Sequence, residues 1–462
     1  MRALLSSAIV ATALLSSAAA TKNDGDDVAA LQREVSELKQ QVKWLMQQQA
    51  HQPAFEEPPQ QQEHRLAVSA GPKLPLSVAT FGAKADGSTD DTAAFQAALT
   101  AAKMAGHAVV SVPAGTYKIL GHLTVPSNCE LRGDNHFPYR SWGSGSGIPV
   151  GTTLQVFAGA NCTQPSSTDA NSTCHPFILL QGSNAAVSGM SIVYPQQAGP
   201  QAAAPVPYPW TIRGSGDDCT VKNVFLVNSY LGIDMGTLPA GRHLIENVYG
   251  NPLKTGIFVD NCFDVGRIRH IHFWCGSVQP RSRGLLPALT TPRAALCRAA
   301  ASRNFWCGRG PEVVGPLQQW VSANGATIVL ARTDWEVVED VFSWGYARGL
   351  KLITSDVVDP ETNISIGASN GQCTDVQFDA VDIGVEVQST DPYGWFFSNL
   401  NLANAGWGKN ALGIACDAAC AANVVVRGAS FWGAFHQAVS WNGTSAFFSI
   451  SDSTVENCAH QH

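Results

Sequence analysis

Residues 81–99 read FGAKADGSTDDTAAFQAAL, and this stretch decides the fold. Its Gly- and Asp-rich turn ends in Asp90 and Asp91, which are placed to cap the helix that the following Ala-rich run predicts. A strand-like run, Val109-Val110-Ser111-Val112, comes next, and the turn PAGTY follows at residues 113–117. A turn, a short helix and entry into a series of strands is how the N-terminal end of a parallel β-helix would be closed.

Short apolar motifs recur downstream with a fixed phase. They begin at Val221, Ile245, Ile268, Val338 and Cys373, and the first two steps are 24 and 23 residues. In four of them a Gly with an apolar neighbour stands eleven positions later, at Gly232, Gly256, Gly349 and Gly384. Two short strands per repeat, without a helix-length periodic run, predict a solenoid. We therefore expect an all-β chain, a right-handed single-stranded parallel β-helix with a short N-terminal capping helix.

Separated pieces of the chain also resemble a known family. FGAKADGSTDDTAAFQAAL, then VPAGTY at residues 112–117 and a Gly-rich continuation stand in the same order as in the opening of the pectate-lyase-superfamily domain. That domain occurs in rhamnogalacturonase-, epimerase- and exo-glucanase-like proteins. The resemblance spans residues 76–460 and implies a parallel β-helix with glycan substrates, without selecting one reaction.

The composition and the N-terminus define the compartment. Charged residues make up 14% of the chain and the formal net charge is −7, which argues against nucleic acid as a partner. Residues 1–20 combine Arg2, a short apolar core and a small-residue cleavage site, so they predict a signal peptide rather than a membrane span. We expect a secreted, extracellular or cell-wall protein.

An exported chain with twelve cysteines is expected to contain disulfides. Cys162 and Cys174 flank one short loop, and Cys416 and Cys420 flank another. Four glycosylation sequons agree with export and lie at Asn161, Asn171, Asn363 and Asn442.

Residues 21–50 contain a heptad seam with Val at the a positions and Leu at the d positions, over residues 28–45. This combination favours a two-stranded parallel coiled coil and hence a homo-oligomer, although a single amphipathic helix is the alternative. Residues 51–75 are rich in Gln, Pro and Glu and predict a flexible linker. The folded domain is expected at residues 76–462.

The repeat rhythm breaks between Ile268 and Val338. Residues 277–304 are rich in Ala, Arg, Leu and Pro, and Phe-Trp-Cys-Gly occurs on both borders, at residues 273–276 and 305–308. This segment is either a surface insertion or an artefact of the gene model, so no function is assigned to it.

Residues at the same phase in successive coils stack into a column, in which neighbouring side chains are about 4.8 Å apart. Two places after the start of each motif stand Asn223, Asn247, His270, Asp340 and Asp375, which predict a hydrogen-bonded ladder. Four places before it stand Asp217, Asp264 and Asp334. The neighbours of these three carboxyls are also polar or aromatic: Asp218, Arg242, His243, Arg267, Arg332, Trp335 and Glu336.

The acidic column is compatible with two kinds of glycan cleavage. Hydrolysis needs two carboxyl groups, whereas a lyase needs a base and a cation that neutralises a uronate. We expect Asp217, Asp218, Asp264 and Asp334 as acid, base or metal-binding groups, with His243 as an acid/base helper. The substrate would be bound by Arg242, Arg267, Arg332, Glu336 and Trp335. No cofactor is certain; Ca²⁺ would belong to a lyase, and a metal site remains unknown.

Gly216-Asp217-Asp218-Cys219 resembles the G-x-D-D-C element of polygalacturonases, although their upstream Asn-Thr-Asp element is absent. The leading hypothesis is a secreted carbohydrate-active enzyme, a glycoside hydrolase or a polysaccharide lyase, with its groove on the flank of the β-helix. The competing hypothesis is a non-catalytic glycan-binding or adhesion protein that uses the β-helix as a rigid rod. The predicted coiled coil favours the second hypothesis, because a simple depolymerase does not need to form oligomers.

Overall fold

The computed structural model describes residues 76–138, 151–169, 172–275, 315–404, 411–443 and 445–456. The predicted signal peptide, coiled coil, linker and insertion lie outside the described residues, as does the sequon at Asn171. The first described element begins at Leu76.

The entry into the fold follows the opening stretch. A 3₁₀ helix spans Val78–Phe81, and α1 spans Thr92–Met104 and buries Phe95, Ala98, Leu99 and Ala102 in the core. The capping prediction was correct for only one of its two carboxylates. Asp90 Oδ1 accepts from the backbone N–H of Thr92 at 3.0 Å. Asp91 makes no side-chain cap and instead accepts from Lys84 N and Ala85 N, which fixes the turn before the helix.

The described residues contain 26 strands and a second helix, α2 (Pro316–Asn324). The strands are β1 (Leu76–Ser77), β2 (Asp86–Asp90), β3 (Ala108–Val112), β4 (Gly115–Ile119), β5 (Leu123–Pro126), β6 (Cys129–Gly133), β7 (Thr152–Val156), β8 (Ile178–Gln181), β9 (Ala186–Val193), β10 (Trp210–Ser215), β11 (Thr220–Val227), β12 (Leu231–Met235), β13 (Leu244–Gly250), β14 (Thr255–Val259), β15 (Arg267–Trp274), β16 (Ala326–Leu330), β17 (Glu336–Trp344), β18 (Arg348–Leu352), β19 (Gly371–Asp379), β20 (Ile383–Ser389), β21 (Trp395–Asn404), β22 (Leu412–Ala421), β23 (Asn423–Gly433), β24 (Gln437–Trp441), β25 (Phe447–Ser451) and β26 (Thr454–Glu456).

The strands form two parallel sheets. The ten-stranded sheet contains β5, β8, β10, β12, β14, β16, β18, β20, β22 and β24, and the other sixteen strands form the larger sheet. Each coil contributes one strand to the ten-stranded sheet and then one to the larger sheet, so the chain winds as the expected right-handed parallel β-helix. The core lies inside the coils and is built from the inward-facing apolar residues of both sheets.

The predicted phase is the observed register. Val221 pairs with Ile245, Ile245 with Ile268, Ile268 with Val338, and Val338 with Cys373. In the other sheet Ile233 pairs with Ile257 and Leu350 with Val385, as the Gly-apolar pairs predicted. Since a slip of one residue would turn the apolar set outward, the pattern specifies this register strongly.

The polar column two places after each motif start is a bend in the larger sheet. Its members have left-handed backbones, with φ between 49° and 56°: Asn223, Asn247, His270, Asp340 and Asp375. Asn and Asp tolerate this conformation better than other side chains do, which explains their presence there. The predicted ladder is also observed in part, because Asn247 Nδ2 donates to Asn223 Oδ1 at 2.7 Å.

Two disulfides join the cysteines that flank the short loops, Cys162 with Cys174 and Cys416 with Cys420. The loop of the first disulfide is anchored to the ten-stranded sheet by Arg213, which donates to Ser167 O and Pro165 O. Neither described helix has the length and apolar character needed to cross a membrane.

Candidate functional site

The candidate residues lie on one side of the β-helix, in the loops that lead from the ten-stranded sheet to the larger sheet. We call this side the loop flank; it comprises residues 216–219, 236–243, 260–266, 331–335, 353–370 and 390–394. Successive loops stack because the strands on either side of them are in register. At about 4.8 Å per coil, the six loops extend along about 24 Å of the helix axis.

One turn position of the loop flank changes its residue type at the candidate site. Three places before the start of each motif the backbone is left-handed in six coils, at Asn128, Asn184, Asp218, Arg242, Trp335 and Gly394. Asn and Gly at the two ends of this column are the residues that tolerate the conformation. Arg242 and Trp335 are not, since a bulky side chain at positive φ is a backbone outlier. Outliers of this kind concentrate at functional sites, where the strain is maintained by the surrounding structure.

Arg242 binds three carboxylates from the two neighbouring coils. Its guanidinium lies 2.9 Å from Asp218, 3.1 Å from Asp217 and 3.1 Å from Asp264. All four side chains are between 42% and 49% exposed, so they are accessible to a ligand. The group carries more negative than positive charge. Arg267 contributes a further exposed guanidinium, whose Nη1 donates to Val265 O at 3.3 Å.

Two carboxylates of this group, Asp218 and Asp264, have lowered pKa values. The hydrogen bond from Arg242 holds the pKa of Asp218 below its usual range. The pKa of Asp264 is lowered first by the backbone N–H of Val265 and then by Arg242. A general acid needs a raised pKa, whereas a base or a cation ligand needs the ionised form. Asp218 and Asp264 therefore meet the second requirement and not the first.

Asp334 forms a separate pair with Arg332 in the next coil along. The guanidinium binds both oxygens of the carboxylate, at 2.6 and 2.9 Å, and Asn370 Nδ2 donates to the same carboxylate at 3.2 Å. Asn370 Oδ1 in turn accepts from the backbone N–H of Trp335 at 2.8 Å. This amide therefore supports both Asp334 and the strained backbone of Trp335.

Three exposed aromatic side chains lie on the loop flank beside these carboxylates. Phe263 is 56% exposed, Trp335 53% and Tyr393 68%. The rings of Trp335 and Tyr393 are 5.7 Å apart, and the guanidinium of Arg332 lies 5.2 Å from the centre of the Phe263 ring. Large aromatic rings are normally buried, so a row of exposed ones indicates a binding surface.

His243 and Glu336 lie inside the β-helix and not on the loop flank. Both side chains are fully buried, and His243 Nε2 lies 3.0 Å from Glu336 Oε1. His243 Nδ1 donates to Ala240 O at 2.9 Å. Burial by itself would lower the pKa of His243, but the charge of Glu336 and the hydrogen bonds of Cys262 and Glu336 raise it well above the usual value.

The structure thus separates the predicted residues into three groups. Asp217, Asp218, Arg242 and Asp264 come together, Arg332 and Asp334 pair beside Trp335, and His243 and Glu336 are enclosed. Sequence reasoning missed Phe263, Asn370 and Tyr393. Their only signal was position, since each stands in a loop of a coil whose phase was already known.

The family comparison covers the entry into the fold and not the candidate site. Residues 76–192 match the model of the family described as Rhamnogalacturonase A/epimerase, pectate lyase-like. The matched residues include the two motifs that carry the family resemblance, FGAKADGSTDDTAAFQAAL at 81–99 and VPAGTY at 112–117. Residues 76–192 of this chain are therefore similar to the pectate-lyase-like family.

Known relatives of this chain match short segments only. A mannuronan C5-epimerase of Azotobacter vinelandii, AlgE3, is 43% identical over 67 residues, which are 13% of this chain and 4% of that protein. Alginate lyase 7 of the same organism is 53% identical over 48 residues, 10% of this chain and 6% of that protein. The matched segments therefore span less than a tenth of these two relatives.

Solved structures similar to this chain have low sequence identity. The tailspike protein of E. coli bacteriophage HK620 has a TM-score of 0.47 and 11% identity, with 83% of this chain and 65% of that chain covered. Endo-xylogalacturonan hydrolase from Aspergillus tubingensis has a TM-score of 0.42 and 11% identity, with 82% and 92% covered.

Proposed function

We propose that this chain is an exported enzyme that cleaves an acidic polysaccharide along the loop flank of its β-helix. The observation that carries the proposal is the column of left-handed turns. Asn and Gly occupy this position in the outer coils, whereas Asp218, Arg242 and Trp335 occupy it beside the exposed carboxylates. An Arg or a Trp with a strained backbone does not stabilise a turn. We therefore infer that Arg242 and Trp335 are present because they bind a ligand.

Two features of the flank can bind a polymer that carries carboxylates, although the Arg242 cluster itself has more negative than positive charge. Arg267 can neutralise a uronate, while Phe263, Trp335 and Tyr393 offer flat apolar faces to sugar rings. The printed names of the relatives, mannuronan epimerases and an alginate lyase, support uronate polymers as the first substrates to test.

The lowered pKa values of Asp218 and Asp264 favour elimination over hydrolysis as the reaction. Hydrolysis needs one carboxyl group that is still protonated near the working pH, and these two are not. In an elimination the chain's own groups would neutralise the uronate and remove its α-proton; a carbon–carbon double bond would form as the β C–O bond breaks, and the leaving oxygen would take a proton from water. If Ca²⁺ takes part, it would compete with the Arg242 guanidinium for Asp217, Asp218 and Asp264.

The test is incubation of the exported protein with alginate, polygalacturonate and neutral glucans. Ultraviolet absorbance of unsaturated ends and the number of reducing ends are recorded together, with and without a Ca²⁺ chelator. Unsaturated ends identify a lyase, and reducing ends alone identify a hydrolase. If none of the polymers yields a product, the proposal that the protein is an enzyme is rejected.

A non-catalytic glycan-binding protein is the second candidate, and the saturation of Arg242 by three carboxylates favours it. In that case the polymers should bind without being changed. The predicted coiled coil should then matter, since several linked rods bind a polymer with higher avidity. Deletion of residues 21–50 should lower both the mass in solution and the apparent affinity. An unchanged mass would exclude a role for this segment in assembly.

A further inference from the structure

One inward-facing column of the β-helix brings a buried imidazole and a buried carboxylate together at a glycine. Two places before each motif start stand Cys219, His243, Gly266, Glu336 and Gly371. Gly266 separates His243 from Glu336 in this column, and their two side chains meet across it. A Cβ at Gly266 would lie 2.4 Å from Glu336 Oε2 and 2.5 Å from His243 Nε2. Because Gly266 has no side chain, a carboxylate oxygen and an imidazole nitrogen can converge on the position that its Cβ would occupy.

A third donor reaches this position from the loop of the same coil. Cys262 is fully buried, and its sulfur lies 3.9 Å from His243 Nδ1. One ligand atom each from His243, Cys262 and Glu336 lie within 4.8 Å of one another. Nitrogen, thiolate and carboxylate donors at this separation are the set that Zn²⁺ prefers.

Hydrogen bonds among the described residues leave one polar atom of the cluster without a partner. Glu336 is fully buried, yet its Oε2 has no hydrogen-bond partner among the described residues. A buried carboxylate oxygen without a partner is costly, and a cation at the cluster would remove that cost. His243 Nδ1 is bonded to a backbone carbonyl, as in many metal-binding histidines, which leaves Nε2 directed at Glu336.

We propose that His243, Cys262 and Glu336 bind one zinc ion inside the β-helix. Zinc would replace the thiol proton of Cys262 and a proton of His243, and both protons would pass to solvent. The resulting set of Zn²⁺, one thiolate, one carboxylate and a neutral imidazole has no net charge, which suits a buried position. The ion would join three coils and hold together, from inside, the loops that present Arg242, Asp264 and Trp335 outside.

Cys373 is the first residue to test as a fourth ligand. Its thiol is buried in the coil after that of Glu336, in the column of motif starts. Structural zinc sites are almost always four-coordinate, so a fourth donor is expected.

The first experiment measures metal content in the full chain, purified without a metal-binding tag from zinc-containing medium. We expect one zinc ion per chain that survives dialysis. Glu336→Gln and Cys262→Ala should each lose it. Gly266→Ala should also lose it, because the new Cβ would occupy the position on which two of the donors converge, although every donor remains. The matched control is Cys129→Ala, which removes a buried thiol from the same column in β6, three coils before the coil of His243, and should retain zinc. Loss of zinc in Cys373→Ala would identify the fourth ligand.

The second experiment does not depend on the folding of any variant. After removal of zinc by a strong chelator, the wild-type melting temperature should fall and return when zinc is added. Cobalt bound in place of zinc should show a thiolate charge-transfer absorption band. A wild-type chain that contains no zinc above the buffer level, and that neither chelator nor zinc affects, would overturn the site and leave a His243–Glu336 ion pair. Neither measurement uses a polysaccharide, so this failure is distinguishable from failure of the proposed function.

Discussion

Arg242 and Trp335 occupy the same turn position of the β-helix two coils apart, and both have φ of 51°. Their motifs are aligned through Ile245, Ile268 and Val338, so the correspondence follows from strand register. Between them lies the coil that carries Phe263 and Asp264. Two side chains that the turn itself disfavours thus border the exposed carboxylates, and this relationship makes the loop flank testable at single residues.

Replacement of Trp335 by Asn should separate binding from stability. Asn tolerates the left-handed backbone, so the variant relieves about 1 kcal/mol of strain and loses a ring contact with Tyr393 worth about as much. The free energy of unfolding should therefore change by less than about 1 kcal/mol. The affinity for the polysaccharide should fall about tenfold, which corresponds to about 1.4 kcal/mol.

The measurements for Trp335→Asn are denaturant unfolding and equilibrium binding of the polymer. Trp432→Asn is the matched control, because Trp432 is 50% exposed but lies in β23 and outside the loop flank. Equal losses of affinity in the two variants would show that binding does not depend on the loop flank.

Replacement of Asp264 by Asn should abolish most of the product formation. The amide oxygen can still accept from Val265 N, so the loop is preserved while the charge beside Arg242 is lost. A fall of about 10²-fold or more is expected if this carboxylate moves a proton. Asp452→Asn provides the control at an exposed left-handed position in another part of the chain. Wild-type rates in Asp264→Asn would remove this residue from the mechanism.

Asp334→Asn should have a smaller effect than Asp264→Asn. Asp334 already binds Arg332 through both oxygens and receives a bond from Asn370, so its main effect is on the loop that carries Trp335. We expect weaker substrate binding at a nearly unchanged maximal rate. Steady-state kinetics on the polymer that proves to be the substrate would measure the two effects separately.

How far the sequence could predict the site depends on the kind of contact. The column of Asp217, Asp264 and Asp334 could be derived from the sequence. Apolar residues of a β-helix must face inward, and this requirement specifies the strand register and therefore the position of each carboxylate. The enclosure of His243 and Glu336 could not be derived, since the two residues are 93 positions apart and meet only across Gly266. Phe263 and Tyr393 could not be placed either. Their loops differ in length, and repeat phase says nothing about which loop residue projects outward.

The activity should persist at acidic pH if Asp218 or Asp264 acts in the ionised form. Their pKa values lie below the ordinary value of about 3.9, so the acid limb of the pH–rate profile should fall below about pH 4. The same groups stabilise the fold above the ordinary pKa and lose that contribution as pH falls through the lowered one. The stability change should be small, because the cluster is exposed.

An acid limb of the pH–rate profile well above pH 5 would contradict a role for ionised Asp218 or Asp264. It would direct attention to Asp379 or Asp260, whose pKa values are raised by burial. Asp379 is the better candidate of the two. Asp260 already accepts hydrogen bonds from Asn261 N, Arg332 N and Ser355 Oγ, which make it a structural residue of its loop.

The stability of the domain should depend strongly on the buried pair of Arg213 and Asp234. Arg213 Nε donates to Asp234 Oδ2 at 2.6 Å, and neither side chain is more than 1% exposed. Arg213→Met leaves a buried carboxylate without its cation and frees the carbonyls of Pro165 and Ser167, so unfolding should become easier by about 3–5 kcal/mol. Addition of Asp234→Asn should restore part of the loss, because the remaining charge disappears while Asn can still accept from Gly236 N and Thr237 N. The exposed pair of Arg132 and Glu130 provides the control, since Arg132→Met should cost less than about 1 kcal/mol. Denaturant unfolding of all three variants measures these differences. A loss for Arg213→Met no larger than that for Arg132→Met would show that the disulfide-closed loop does not depend on this pair.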